Sequence, residues 1–121
     1  MSQHKSPITT HVLDTALGRP ARGVPVCLEL QDGKDSWKVI ATGITNNDGR
    51  VANLLTPGDA NWGQGVYRIT FDTEQYLKTT GQSQEPFFPS VPIIFRVTEP
   101  ETHYHVPLLL SPFGFSTYRG S

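Results

Sequence analysis

The chain has 121 residues, 36% of them apolar and 17% charged, with a formal net charge of -1 and a pI near 6.4. That length fits a single domain over residues 1–121 with one buried core, and the charge balance leaves no basic stripe to neutralise phosphates, so no nucleic-acid partner is expected. The longest apolar runs, such as Val106 to Leu110, are far short of the roughly 20 residues a membrane-spanning helix needs, so no membrane partner is expected either.

Met1 to Thr10 is polar and has no apolar h-region, and Cys27 is the lone cysteine. Neither an intrachain disulfide nor a cysteine-built zinc site is open to this chain, and the expected compartment is the cytoplasm. Ile8 and Val12 set the core phase of a first strand, which turns His11 outward. Val24, Val26, Leu28 and Leu30 then alternate with Pro25, Cys27, Glu29 and Gln31, the pattern of a half-buried strand. The segment Trp37 to Ile44 is expected to turn through Asn46-Asn47-Asp48-Gly49 into a strand over Arg50 to Leu54, which sets Arg50 at a strand start. Tyr67, Ile69 and Phe71 mark a further core strand. Asp72 caps a short predicted helix through Tyr76 and Leu77, with Gln75 three residues after the cap and Gly81 as its left-handed stop.

The stretch Glu85 to Pro92 holds three prolines and is read as an ordered edge or loop, before a strand with Val91, Ile93, Phe95 and Val97 on one face. His103 to Leu110 reads as one strand that sends Tyr104, Val106, Leu108 and Leu110 to the core. Alternation continues through Phe113 to Arg119, so the end of the sequence is expected to dock rather than fray. Short period-two segments separated by Gly, Pro, Asn and Asp, with one helix, define an all-β antiparallel sandwich.

Chemistry concentrates on the non-core face of that late strand. His103 and His105 share it, roughly 6.5 Å apart, and His11 faces the same way from its own strand. A neutral imidazole accepts a proton from water near neutral pH, while a guanidinium such as Arg50 holds negative charge developing on a carbonyl oxygen. For any one of these histidines alone, an ordinary surface residue is the default reading, and Arg50 beside a turn is by default a solvated charge. A three-nitrogen metal site from His11, His103 and His105 stays open as an alternative, although no carboxylate partner for the rings is evident. Cys27 reads as a small packing residue. Leu109 falls on the histidine face while Leu108 and Leu110 face the core, so a second covering surface is needed, and another copy of the chain is the economical supplier.

Two segments resemble a known family. His11-Val12-Leu13-Asp14 with Gly18, Pro20, Ala21, Val24 and Val26 is similar to the first transthyretin-family signature, and Tyr104 to Ser116 is similar to the second. The final Tyr118-Arg119-Gly120-Ser121 resembles the tetrapeptide that marks the 5-hydroxyisourate hydrolases of that family and that its hormone carriers lack. The resemblance implies a prealbumin-like sandwich of about eight strands, a homotetramer built as a dimer of dimers, and active sites in the channel between dimers. It implies a small-molecule substrate, 5-hydroxyisourate, opened by hydrolysis in urate degradation. By the same analogy, His11, Arg50, His105 and Ser121 are catalytic, and Tyr118, Arg119 and Gly120 bind substrate, with no cofactor and no metal. Three rival readings remain: a thyroid-hormone-type carrier, an adhesive interaction module, and a metallohydrolase using His11, His103 and His105.

Overall fold

The computed structural model describes residues 6–121, so Met1–Lys5 of the polar start lie outside the described residues. The strands are β1 (Ile8–Thr9), β2 (Val12–Asp14), β3 (Arg19–Pro20), β4 (Pro25–Gln31), β5 (Trp37–Ile44), β6 (Gly65–Phe71), β7 (Val91–Val97), β8 (Tyr104–His105), β9 (Leu108–Ser111) and β10 (Gly114–Thr117), with one helix, α1 (Thr73–Thr79). One sheet runs β5-β4-β6-β7 and is antiparallel throughout. The other runs β10-β9-β2-β3, and there β2 and β9 are parallel. The two sheets close on a core that includes Val26, Leu28, Ile69 and Phe71 from the first and Val12, Leu108 and Leu110 from the second. This is the expected all-β sandwich, but it is mixed rather than wholly antiparallel, because β1 and β2 run parallel to β8 and β9.

The expected single strand from His103 to Leu110 is interrupted at Val106-Pro107. Its phase is nevertheless kept, since Tyr104, Val106, Leu108 and Leu110 are all buried. The backbone explains why. Tyr104, Val106 and Leu108 donate in turn to the carbonyls of Pro7, Thr9 and His11 at 3.0, 2.9 and 2.9 Å, so β1–β2 and β8–β9 form one continuous parallel ladder. Pro107, lacking an N–H, falls in the alternate phase, where it breaks the edge toward β10 and leaves this ladder whole. With each interrupted strand counted once, the ten segments reduce to the eight strands expected.

A second correction concerns Arg50 to Leu54, which is not a strand. Arg50 makes a single antiparallel bridge to His11, and Val51, Leu54 and Leu55 are buried from a chain of turns. The turn before it is tightly specified. Asn46 Oδ1 accepts from the N–H groups of Asp48 and Arg50 at 2.9 and 3.1 Å, and Gly49 adopts φ +76°. The Gly49 carbonyl accepts from Val12 N–H at 2.8 Å, and a Cβ at Gly49 would run into the Val12 carbonyl. The chain therefore leaves one sheet at Ile44 and meets the other at His11, instead of folding back as a hairpin.

Helix α1 forms as expected: Asp72 caps it by accepting from Gln75 N–H. Gly81 at φ +72° ends it, with Gly81 and Gln82 donating to Lys78 and Leu77. Pro92 sits in β7, an edge strand, where a missing donor is tolerated.

The helix is tied to the second sheet through Asp14, 2% exposed. Its carboxylate accepts from Tyr76 Oη at 2.6 Å, Gln82 Nε2 at 2.8 Å and Leu17 N–H at 2.8 Å. Burial pushes this carboxyl up, and the hydrogen bonds from Tyr76, Leu17, Gln82 and Ala16 outweigh it, holding the group below its ordinary value. Asp14→Ala leaves the buried Tyr76 hydroxyl without its partner and is expected to cost about 2 kcal/mol or more in urea denaturation, at roughly 1–3 kcal/mol per unsatisfied group. Because the folded carboxyl titrates below the unfolded one, its contribution is present above about pH 4 and lost as pH falls below that. The gap between parent and variant should therefore narrow in acid.

Candidate active site

The parallel ladder sets Thr9 directly beside His105 in register. Ile8, Thr10 and Val12 take the buried phase, leaving Thr9 and His11 on the outer face with His105. Arg50 reaches the same face because the Asn46–Gly49 turn bridges it to His11. From the other end, the last residues fold back along β8: Gly120 N–H donates to the His105 carbonyl at 2.9 Å in an antiparallel bridge. A side chain at position 120 would collide with the His105 ring, which gives the glycine of Tyr-Arg-Gly-Ser a steric reason.

The result is a cavity of about 660 Å³ lined by His11, Arg50, His105, Tyr118, Gly120 and Ser121, with His103 at its rim. Six of the seven residues singled out from the sequence thus meet in one place. Arg119 does not. Its guanidinium lies 4.4 Å from the centroid of the Tyr104 ring and lines a separate cavity of about 260 Å³ with Ile93 and Phe95. Within one chain it turns away from the histidines, since successive residues of an extended segment point to opposite sides.

Thr9 went unread in the sequence. Its Oγ1 lies 2.8 Å from His103 Nε2 and 2.8 Å from His105 Nδ1. The available signal was its phase, two residues before His11 and hence on the same face. Among the described residues, no group of three or more His, Cys, Asp or Glu side chains is arranged to hold a metal ion. A larger cavity, about 710 Å³, lies on the other sheet and includes Cys27. Burial, followed by the nearby Glu29, pushes that thiol up and keeps it protonated and unreactive.

Burial lowers the pKa of His11, and the Arg50 charge lowers it further, against opposing contributions from Asp48. For His105, burial again acts first, then Arg50, His103 and His11, opposed by a hydrogen bond to the Thr9 backbone. Both imidazoles are held neutral at lower pH than usual, the state in which a ring nitrogen can accept a proton.

Residues 8–120 match the family model described as HIUase/Transthyretin family. The chain belongs to that family. Among family members, it is 47% identical over 122 residues to the 5-hydroxyisourate hydrolase of Mus musculus, covering the whole of both chains. Among solved structures, it resembles Klebsiella pneumoniae 5-hydroxyisourate hydrolase at a TM-score of 0.77 and 36% identity, covering 94% of this chain and 97% of that one. It also resembles sea bream transthyretin in complex with thyroxine, at a TM-score of 0.85 and 34% identity, with 94% of each chain covered. The family fold is thus common to catalysts and a hormone-bound protein, and the lining of the cavity has to separate them.

NMR titration of the imidazole C–H signals should place His11 and His105 below 6.5, the ordinary value. Arg50→Gln should raise both, and Arg50→Lys should leave them near the parent values. The sign for stability follows: the unfolded chain takes up these protons first as pH drops, so the two groups favour the fold above about pH 6.5 and cease to do so as pH falls through their native values.

Proposed function

We propose that this chain hydrolyses 5-hydroxyisourate to 2-oxo-4-hydroxy-4-carboxy-5-ureidoimidazoline, a step of urate degradation. The observation that carries this reading is the meeting of the His11 and His105 imidazoles, the Arg50 guanidinium and Tyr118, Gly120 and Ser121 of the final tetrapeptide in one cavity. Amide-type hydrolysis at neutral pH asks for a base that is unprotonated, a positive group for the developing oxyanion, and walls that orient the ring. His105, assisted by His11, takes a proton from water, which attacks the ring carbonyl next to the scissile nitrogen. Arg50 stabilises the oxyanion or the anionic substrate. Tyr118, Gly120 and Ser121 close one side. Arg119, aimed away from the histidines within its own chain, is assigned to holding the tail against Tyr104.

The carrier reading draws support from the thyroxine-bound structural relative. A cavity for an apolar hormone calls for mostly apolar walls, whereas two imidazoles and a guanidinium fit a polar, anionic heterocycle. We further propose a homotetramer in the cytoplasm, with sites enclosed between dimers. Tyr118 is 58% exposed, Phe113 80% and Phe115 39% in the single chain, and this apolar surface fits cover by another copy.

The decisive assay generates 5-hydroxyisourate from urate with an oxidase and follows its ultraviolet decay. The purified protein should accelerate that decay, and acceleration should persist after chelator treatment and dialysis. His105→Asn should lower kcat by about 100-fold or more. Deleting Tyr118–Ser121 should abolish turnover while circular dichroism stays unchanged, because β10 ends at Thr117. An unchanged rate in either variant removes the corresponding group from the mechanism.

A further inference from the structure

The Thr9 hydroxyl sits between two imidazoles, 2.8 Å from His105 Nδ1 and 2.8 Å from His103 Nε2. A threonine hydroxyl has one hydrogen to donate, so the two rings cannot choose their tautomers independently through it. In one arrangement His105 Nδ1–H donates to Oγ1, and Oγ1–H donates to His103 Nε2. The lone pair of His105 is then on Nε2. In the reverse arrangement Oγ1–H donates to His105 Nδ1, and the hydrogen of neutral His105 occupies Nε2, where it disables that nitrogen as a base. A third arrangement, with both rings donating to Oγ1, leaves the hydroxyl hydrogen without either ring as partner.

Three features of the fold select among these. Thr9 and His105 are in register on adjacent parallel strands, and the β-branched threonine has little χ1 freedom. The His105 ring is packed on its Cδ2 edge against Gly120, which opposes the ring flip that would exchange Nδ1 for Cδ2 and turn Nδ1 away from Thr9. The Thr9 main chain also acts on the His105 ring as a nearby acceptor, raising its pKa, and an acceptor favours a hydrogen on the ring nitrogen that faces Thr9. His103, exposed at the end of the arrangement, lines both the site and an adjoining cavity with Glu101 and Thr102, so its Nδ1–H is free to meet solvent.

We infer that Thr9 is a positioning residue for the reaction: its hydroxyl, completed by His103, holds neutral His105 with hydrogen on Nδ1 and the lone pair on Nε2. This rests on the assignment of His105 as the base. In the step it supports, an O–H bond of water breaks, its proton goes to His105 Nε2, and the oxygen bonds to the ring carbonyl carbon. The imidazolium keeps its Nδ1–H on Thr9. When the C–N bond breaks, the proton on Nε2 passes to the leaving nitrogen, so one water is consumed and no net proton is gained or lost by the site. Thr9 and His103 thus stand behind the base as an orienting group stands behind a catalytic histidine elsewhere, where loss of the correct tautomer alone is severe.

Long-range 1H–15N spectra of the labelled parent, recorded where the imidazoles are neutral, should show His105 protonated on Nδ1 and bare on Nε2, and His103 bare on Nε2. Thr9→Val should give His105 a mixture of tautomers and lower kcat roughly 10–100-fold with KM changed less than about threefold. Thr9→Ser, which restores the hydroxyl, should recover the parent tautomer and kcat to within about threefold. An active parent carrying neutral His105 as the Nε2–H tautomer overturns the positioning role alone, as does Thr9→Val with parent kcat and parent spectra. Should Thr9→Val fail to fold, the parent spectrum and Thr9→Ser decide: a serine variant that keeps the fold but loses kcat overturns it. A parent inert toward 5-hydroxyisourate overturns the functional assignment itself, and the role in turnover with it, whatever the spectra show.

Discussion

One constraint governs this molecule: the parallel pairing of the first strand with the strand that begins near residue 104. It is made by a run of backbone hydrogen bonds from Tyr104, Val106 and Leu108 to Pro7, Thr9 and His11. Because side chains alternate along both strands, this register decides two things together. Ile8, Thr10 and Val12 go inward with Tyr104, Val106 and Leu108, and Thr9 and His11 go outward with His105. A slip of one residue would exchange the faces, burying imidazoles and exposing the core. The site is therefore not an addition to the sandwich. It is the other face of the alternation that packs it.

Around this ladder the remaining parts are placed by local devices. A turn with a left-handed glycine delivers Arg50, and a glycine that clears the His105 ring lets the tail lie flat against β8. Buried Asp14 fastens the helix to the sheet that bears the histidines. The guanidinium then acts on its surroundings by charge, adding to burial in holding two neighbouring rings neutral. Membership of the HIUase/Transthyretin family accounts for the sandwich. Within that sandwich, the cavity gathers His11, Arg50 and His105 with the last residues, and no cysteine lines it.

Much of this was legible in the residues alone. Period-two alternation located β4, β6 and β7, and the Asp72 and Gly81 signals bounded α1 within a residue, because caps and alternation are local properties. The inward phase of Tyr104, Val106, Leu108 and Leu110 was also readable, but the interruption at Pro107 was not, since it depends on which neighbour each N–H faces. Arg50 to Leu54 misled for a similar reason. A turn followed by apolar residues reads as a hairpin, and only the bond from Val12 to Gly49 shows that the chain has crossed to the other sheet. Arg119 was grouped with its neighbours by motif, whereas extended geometry points adjacent side chains apart. Thr9 is silent in sequence because its significance lies in two partners more than ninety positions away, at separations of 94 and 96.

That separation bears on how the chain is made. Strand β2 lies inside its sheet, between β3 and β9, yet β9 comes from residues 108–111. During synthesis strand β2 must wait, one edge open, until residues 108–111 have emerged, and closing so long a loop is entropically slow. The half-built sheet is an invitation to pair with the wrong strand. Catalytic competence is then among the last properties a nascent molecule acquires, after most of its secondary structure is already in place.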